Sequence, residues 1–137
     1  MLLVLALLLS VPARAGLFGP DAPGRIPVPA RLFTVQVEDV GGTALRVERT
    51  SFDGEVFVYG TIGLAQVTVP FDRIRTLVME LGPDDDHKTA VITDPDGEEV
   101  RVVVEADRPL YGRTTFGNYK IEIGQVRRLE VVAETPR

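Results

Sequence analysis

Apolar and polar residues alternate along most of the chain from Leu32 onward. The alternation is typical of β-strands that bury one face and expose the other. No stretch carries a helical stripe of apolar residues with caps. The pattern predicts an all-β protein of ten short strands, at 32–38, 43–49, 55–60, 64–70, 75–81, 88–93, 98–105, 109–113, 117–123 and 127–133.

The second half of this pattern restates the first. Residues 37–47 align with 92–102 at an offset of 55, and Val58-Tyr59-Gly60 aligns with Leu110-Tyr111-Gly112 at an offset of 52. The offset changes near a turn sequence at Ser51, where insertions are tolerated. We interpret the repeat as an internal duplication that gives two tandem five-stranded units. Chance similarity between two ordinary hairpins is the alternative.

Each unit ends on a short turn before its last strand, written Val69-Pro70-Phe71-Asp72-Arg73-Ile74 in the first copy. Five strands in about 50 residues with this ending resemble the SH3-like or Sm-like small β-barrel repeats of exported bacterial proteins. The resemblance covers residues 32–133, although the second copy has Glu122 in place of the proline. It implies two small barrel-like units. Because units of this size are marginal alone, we expect them to pack together.

The N-terminus has the features of an export signal. Residues 2–9 are an unbroken apolar run, Pro12 follows, and Ala13-Arg14-Ala15 supplies small residues before a cleavage site. The run is too short to span a bilayer. We therefore predict a signal peptide at 1–15, cleaved between Ala15 and Gly16, and a periplasmic or secreted protein. An uncleaved anchor and a buried element of the fold are the alternatives. No basic residue precedes the run, so a start codon further upstream also stays open.

The remaining chain divides by composition. A leader rich in proline and glycine spans 16–30, and an acidic connector at 83–87 separates a first β repeat at 31–82 from a second at 88–134.

Composition and charge exclude several functions. Hydrophobic residues make up 45% and charged residues 26% of the 137 residues, which is typical of a folded domain. Without cysteine, the chain has no disulfide, thiolate metal site or cysteine nucleophile. Its net charge is −5, and removal of residues 1–15 leaves 14 basic against 20 acidic residues. An acidic chain with dispersed basic residues argues against a nucleic-acid partner.

Few residues offer recognisable chemistry. After the signal, the chain holds one serine, Ser51, which we assign to a turn, and one histidine, His87. The carboxylates of Asp84, Asp85 and Asp86 are a weak candidate metal site, because the run lacks the spacing of a calcium loop. Tyr59 and Tyr111 match across the repeat and are expected in the core. Two aromatic residues have no aromatic counterpart in the other copy, Phe52 and Phe116. They are candidate contact residues if they are exposed, and core packing is the favoured alternative.

These observations favour a non-enzymatic binding or scaffolding module of the cell envelope, without a cofactor and with a protein or peptide partner. The short edge strands of a small barrel can accept a peptide strand. One alternative is a small hydrolase or carbohydrate-binding protein that uses carboxylates in a groove between the repeats. Another is an assembly subunit whose paired edges polymerise.

Overall fold

A computed structural model describes residues 25–135 of the chain. The predicted cleavage site at Ala15 and Gly16 and residues 16–24 of the leader lie outside the described residues. The described end of the leader, 25–30, contains no helix or strand.

Ten β-strands follow, and the prediction of an all-β protein is confirmed. They are β1 (Leu32–Asp39), β2 (Ala44–Phe52), β3 (Phe57–Ile62), β4 (Ala65–Pro70), β5 (Thr76–Leu81), β6 (His87–Thr93), β7 (Glu99–Glu105), β8 (Pro109–Thr114), β9 (Gly117–Glu122) and β10 (Val126–Thr135). One-turn 3-10 helices at Phe71–Arg73 and Ile123–Gln125 precede β5 and β10.

The ten strands form one continuous, curled half-barrel sheet in the order β4-β3-β7-β6-β5-β10-β1-β2-β8-β9. Every pair of neighbours is antiparallel. The strands do not separate into two five-stranded units. β3 pairs with β7 and β2 pairs with β8, so each end of the sheet combines strands from both halves of the chain.

The difference from the prediction originates in β2. The predicted strand ends at Arg49, but the backbone there takes a positive φ of 52° and the strand continues to Phe52. The pairing with β8 shifts register between Glu48 and Ser51, which is a bulge that bends β2. The bent end of β2 then pairs with β8 instead of with β3. The pairing therefore differs from the two five-stranded units, packed together, that the sequence predicted.

The concave side of the sheet encloses one hydrophobic core. Leu77 of β5 and Leu129 of β10 pair at its centre, and both are buried. Phe33 and Phe71 pack edge to face with ring centroids 5.5 Å apart. Aliphatic side chains from strands of both halves complete the core, among them Val35, Val37, Val47, Val58, Ile92, Val102, Val104, Leu110, Ile123 and Val126.

The half-barrel leaves two open edges. Within the described part of the chain, β4 pairs only with β3, and β9 pairs only with β8. Residues 25–135 contain no helix that is long and apolar enough to cross a membrane.

Candidate functional site

A groove of about 640 Å³ lies beside the edge hairpin β3–β4, where β3 meets β7. Its lining includes Tyr59, Thr68, His87, Glu105 and Arg108. Tyr59 and Thr68 are paired across β3 and β4, and His87 and Glu105 are paired across β6 and β7. The sheet register therefore fixes four of these five side chains.

Arg108 connects the charged groups of this groove. Its guanidinium forms an ion pair with Glu105 and lies 3.5 Å from a carboxylate oxygen of Asp53. The same group lies 5.8 Å from the centre of the Tyr59 ring. The Nε of Arg108 is buried and has no hydrogen-bond partner among the described residues. One cation thus neutralises two carboxylates, one from the β2–β3 connection in the first half of the chain and one from the end of β7 in the second half.

Tyr59 is a hydrogen-bond donor in this network. Its hydroxyl donates to Asp53 Oδ2 at 2.6 Å. Burial, followed by this hydrogen bond, raises the pKa of Tyr59 to about 12. The phenol therefore stays protonated at neutral pH and cannot act there as a general base.

A second groove, of about 600 Å³, shares His87 and Glu105 with the first. Carboxylates dominate its lining, with Lys88 as the basic residue among them. The acidic lining residues are Asp85, Asp86, Glu105, Asp107 and Glu122.

His87 lines both grooves and is the first residue of β6, although the predicted acidic connector included it. Its Nδ1 lies 2.7 Å from Asp84 Oδ1. This hydrogen bond lowers the pKa of Asp84 and raises the pKa of His87. The pair is exposed, and it ties the acidic connector to the first residue of β6.

The aspartate run is not arranged as a metal site. No group of three or more histidine and carboxylate side chains among residues 25–135 could hold a metal ion. Asp84 Oδ1 accepts a hydrogen bond from the backbone N–H of Asp86 at 2.9 Å as well as facing His87. Asp85 and Asp86 line the carboxylate-rich groove instead.

The two candidate aromatic contacts differ in exposure. Phe52 is fully buried and packs against Tyr59 with ring centroids 5.0 Å apart, so it is a core residue and not a surface contact. Phe116 is 91% exposed between β8 and β9 and remains a candidate contact. Ser51 lies buried in β2, so its assignment to a turn is wrong.

The most distinctive surface is the hairpin β3–β4, which our sequence analysis did not single out. The run from Val56 to Phe71 contains no charged residue, although 26% of the chain is charged. The hairpin turn also exposes apolar side chains: Leu64 is fully exposed and Ile62 is 42% exposed. A count of charge along the chain would have found this signal, whereas alternation alone shows only two strands.

These features define an all-β protein built on one curled antiparallel sheet with open edges. A family model described as "Uncharacterised protein" matches residues 29–134, and the chain belongs to that family. No curated protein and no solved structure matches the chain.

Proposed function

We propose that the protein is an exported binding or scaffolding module of the cell envelope, and that it binds partners by strand addition at β4. The observation that carries the proposal is an uncharged edge strand on an open sheet. Natural sheet edges are usually protected by charges, proline or a covering element. β4 ends in Pro70, but its other residues carry no such protection.

A comparison of the two halves supports the choice of β4. We infer that the halves are copies of one ancestral unit that have exchanged strands. The hairpin β3–β4 pairs Val58 with Val69, and β8–β9 pairs Leu110 with Ile121, at the offset of 52 found in the sequence. At the offset of 55, Val35 pairs with Val47 in β1–β2 and Ala90 pairs with Val102 in β6–β7.

The pairing between halves supports the same inference. The pair Glu48 and Arg113 corresponds to the pair Val103 and Thr61 under these two offsets. The strand order also reads the same from either end when β1–β5 are exchanged for β6–β10. An experimental structure in which Tyr59 and Tyr111 faced opposite sides of the sheet would contradict the duplication.

The corresponding edge hairpins differ in charge. Thr68 and Pro70 of β4 correspond to Lys120 and Glu122 of β9 at the offset of 52. β9 therefore carries the charges that discourage pairing with another chain, and β4 lacks them. This difference makes β4 the edge suited to a partner.

The backbone of β4 is also suited to strand addition. Ile62 and Ala65 flank the turn of the hairpin and pair with each other. Residues that flank a two-residue turn form a hydrogen-bonded pair, and pairs alternate from there. Gln66 and Thr68 consequently direct their N–H and C=O groups away from β3. An extended peptide can form hydrogen bonds with these groups. Uncharged side chains on that peptide would fit beside the uncharged side chains of β4.

Export is the second part of the proposal, and it rests on the apolar run, Pro12 and the small residues before Gly16. Mass spectrometry of the protein from its native host should find Gly16 at the N-terminus. Intact Met1 on protein from the cytoplasm would overturn export without affecting strand addition.

Strand addition is tested by affinity capture from envelope extract of the native host. Wild type is compared with Thr68→Lys, which places the β9 charge on β4, and with Thr68→Pro, which removes an outward donor. We expect captured chains, identified by mass spectrometry, to be lost with both variants. A synthetic peptide from the captured segment should then bind wild type and not Thr68→Lys in calorimetry.

Asn118→Lys is the matched control, because it adds the same charge to the opposite edge. Each variant is first shown by circular dichroism to keep the wild-type fold. Equal capture by wild type and both β4 variants would overturn strand addition at this edge.

The alternative of a carbohydrate-binding protein or small hydrolase is favoured by one observation, the groove lined by five carboxylates. A double variant, Glu105→Gln with Glu122→Gln, should abolish binding or turnover of polysaccharide if this alternative holds. The same double variant leaves capture through β4 unchanged if the protein is a strand-binding module.

A further inference from the structure

We propose that the partner of the β4 edge is a second copy of this chain, paired antiparallel to β4 about Val67. The inference rests on the proposed strand addition and specifies its partner. It predicts a symmetric dimer in which one sheet runs through both copies.

Charge favours this contact over others between copies. The chain has a net charge of −5, so most surfaces of two copies repel each other. The hairpin β3–β4 is uncharged from Phe57 to Pro70. Two copies can therefore approach edge to edge at β4 without placing like charges opposite one another. At β9, each copy would bring Lys120 and Glu122 into the contact.

The register about Val67 pairs the outward backbone groups of Gln66 and Thr68 in both copies. In this register Gln66 of one copy faces Thr68 of the other, and both residues direct their N–H and C=O groups outward. Each of these donors then meets an acceptor, as an antiparallel hydrogen-bonded pair requires. A register shifted by two residues, centred on Thr68, places Pro70 opposite Gln66. Because proline has no N–H, that register leaves the Gln66 carbonyl unpaired.

The side chains are self-complementary in the same register. Val67 faces Val67 of the second copy, and Ala65 faces Val69. These three residues share one face of the strand, since side chains alternate along it. Leu64, which is fully exposed in the turn that precedes β4, lies beside the contact in this register.

Sedimentation equilibrium over a range of protein concentrations tests the assembly. We expect wild type to approach twice the monomer mass at high concentration and Asn118→Lys to do the same. Thr68→Pro and Thr68→Lys should remain at the monomer mass at every concentration. Persistence of the dimer in both β4 variants would overturn the proposed edge.

Cross-linking tests the register, and the chain contains no cysteine that could interfere. Residue 67 faces itself as a non-hydrogen-bonded pair, whose Cα atoms lie about 4.5 Å apart, within the range of a disulfide. Val67→Cys should therefore form a covalent dimer under mild oxidation. The matched variant Tyr119→Cys, at the corresponding position of β9, should not. Equal cross-linking of the two variants would overturn the register about Val67.

The two proposals fail in different ways. If wild type stays monomeric at all concentrations while Thr68→Lys loses capture of another envelope protein, strand addition stands and the dimer is wrong. If wild type dimerises and captures nothing else, the second copy is the partner. If wild type neither dimerises nor captures any chain, both proposals fall.

Discussion

Ser51 shows how one buried hydroxyl can cost stability. The residue is fully buried in β2, and its Oγ has no hydrogen-bond partner among the described residues. Burying a hydroxyl without a partner costs roughly 1–3 kcal/mol. We expect Ser51→Ala to raise the free energy of unfolding by up to about 1 kcal/mol, as measured by urea denaturation.

The neighbouring Thr50 is the matched control for Ser51. It is equally buried, but its Oγ1 donates to the carbonyl oxygen of Val47 at 3.0 Å. Thr50→Ala should therefore lower the free energy of unfolding by about 1 kcal/mol or more. Loss of stability of the same size in both variants would show that Ser51 is satisfied in solution.

His87 and Asp84 give a pH dependence whose sign follows from their contact. Asp84 raises the pKa of His87 above its ordinary value of 6.5, and His87 lowers the pKa of Asp84. The protonated imidazole therefore stabilises the fold below pH 6.5, and this contribution is lost as the pH rises through the folded pKa. On the acid side it is lost as the pH falls through the lowered pKa of Asp84. Since both groups are exposed, the contribution of this pair to the free energy of unfolding is small.

An NMR titration of the His87 ring measures this effect directly. The midpoint should lie above 6.5 in the wild type and move down in Asp84→Asn. Asp85→Asn is the control, because Asp85 is absent from the groups that shift the pKa of His87. An unchanged midpoint in Asp84→Asn would show that the contact is absent in solution.

Among the elements, β3 depends on a glycine at the point where it meets β7. A Cβ on Gly60 would lie 2.1 Å from the carbonyl oxygen of Val103. This distance is too short for any side chain at position 60. Gly60→Ala should therefore break the pairing of β3 with β7 and cost several kcal/mol, roughly the range of a core disruption. Chemical denaturation with far-UV circular dichroism measures the loss.

Gly63 provides the comparison for Gly60. It lies in the turn of the same hairpin with a φ of 59°, and nothing lies near the position of an added Cβ. Gly63→Ala meets only the conformational penalty, about 1 kcal/mol. A loss in Gly60→Ala no larger than that in Gly63→Ala would contradict the close approach of β3 to β7.

The sequence predicted the strands well, because alternation records which face of each strand is buried. All ten strands exist, and most boundaries agree within two residues, as for β4 (predicted 64–70, observed Ala65–Pro70). The one difference larger than two residues is the end of β2, predicted at 49 and observed at Phe52. β2 continues through a bulge, where the positive φ of Arg49 leaves no mark in the alternation.

The alternation of apolar and polar residues could not predict which strands pair with each other. Alternation does not record which neighbour a strand pairs with, and the natural expectation joins β2 to β3. Because β2 pairs with β8 and β3 with β7, the β2–β3 and β7–β8 connections lie close together. Asp53, Tyr59, Glu105 and Arg108 form their network at this place. Of the features of the candidate site, only the absence of charge in the β3–β4 hairpin could have been predicted from the sequence.

At the scale of the whole molecule, the interleaved strands make the two halves interdependent. β3 lies between β4 and β7, and β2 lies between β1 and β8. Each of these two strands therefore has one neighbour from the other half of the chain. We expect residues 25–82 and 83–135, expressed separately, to be unfolded, because each fragment leaves core strands unpaired. An equimolar mixture should regain the native circular dichroism and the dispersed NMR spectrum.

The chain is divided between Gly82 and Pro83 because this bond lies between β5 and β6, so that no strand is interrupted. A full-length chain nicked at this point is the control and should keep its fold. A single fragment with a cooperative unfolding transition would contradict the interdependence of the two halves.

The central position of β10 determines when the sheet can form. β10 lies between β5 and β1, and it pairs with β1 from Leu32 opposite Thr135 onward, so the first and last strands are neighbours. Removal of β10 from this order divides the sheet into β4-β3-β7-β6-β5 and β1-β2-β8-β9, and leaves β5 and β1 without a neighbour on one side. Contacts this distant in sequence form slowly. We therefore expect the sheet to close only once β10 is in place, because β10 supplies the second neighbour of both β5 and β1.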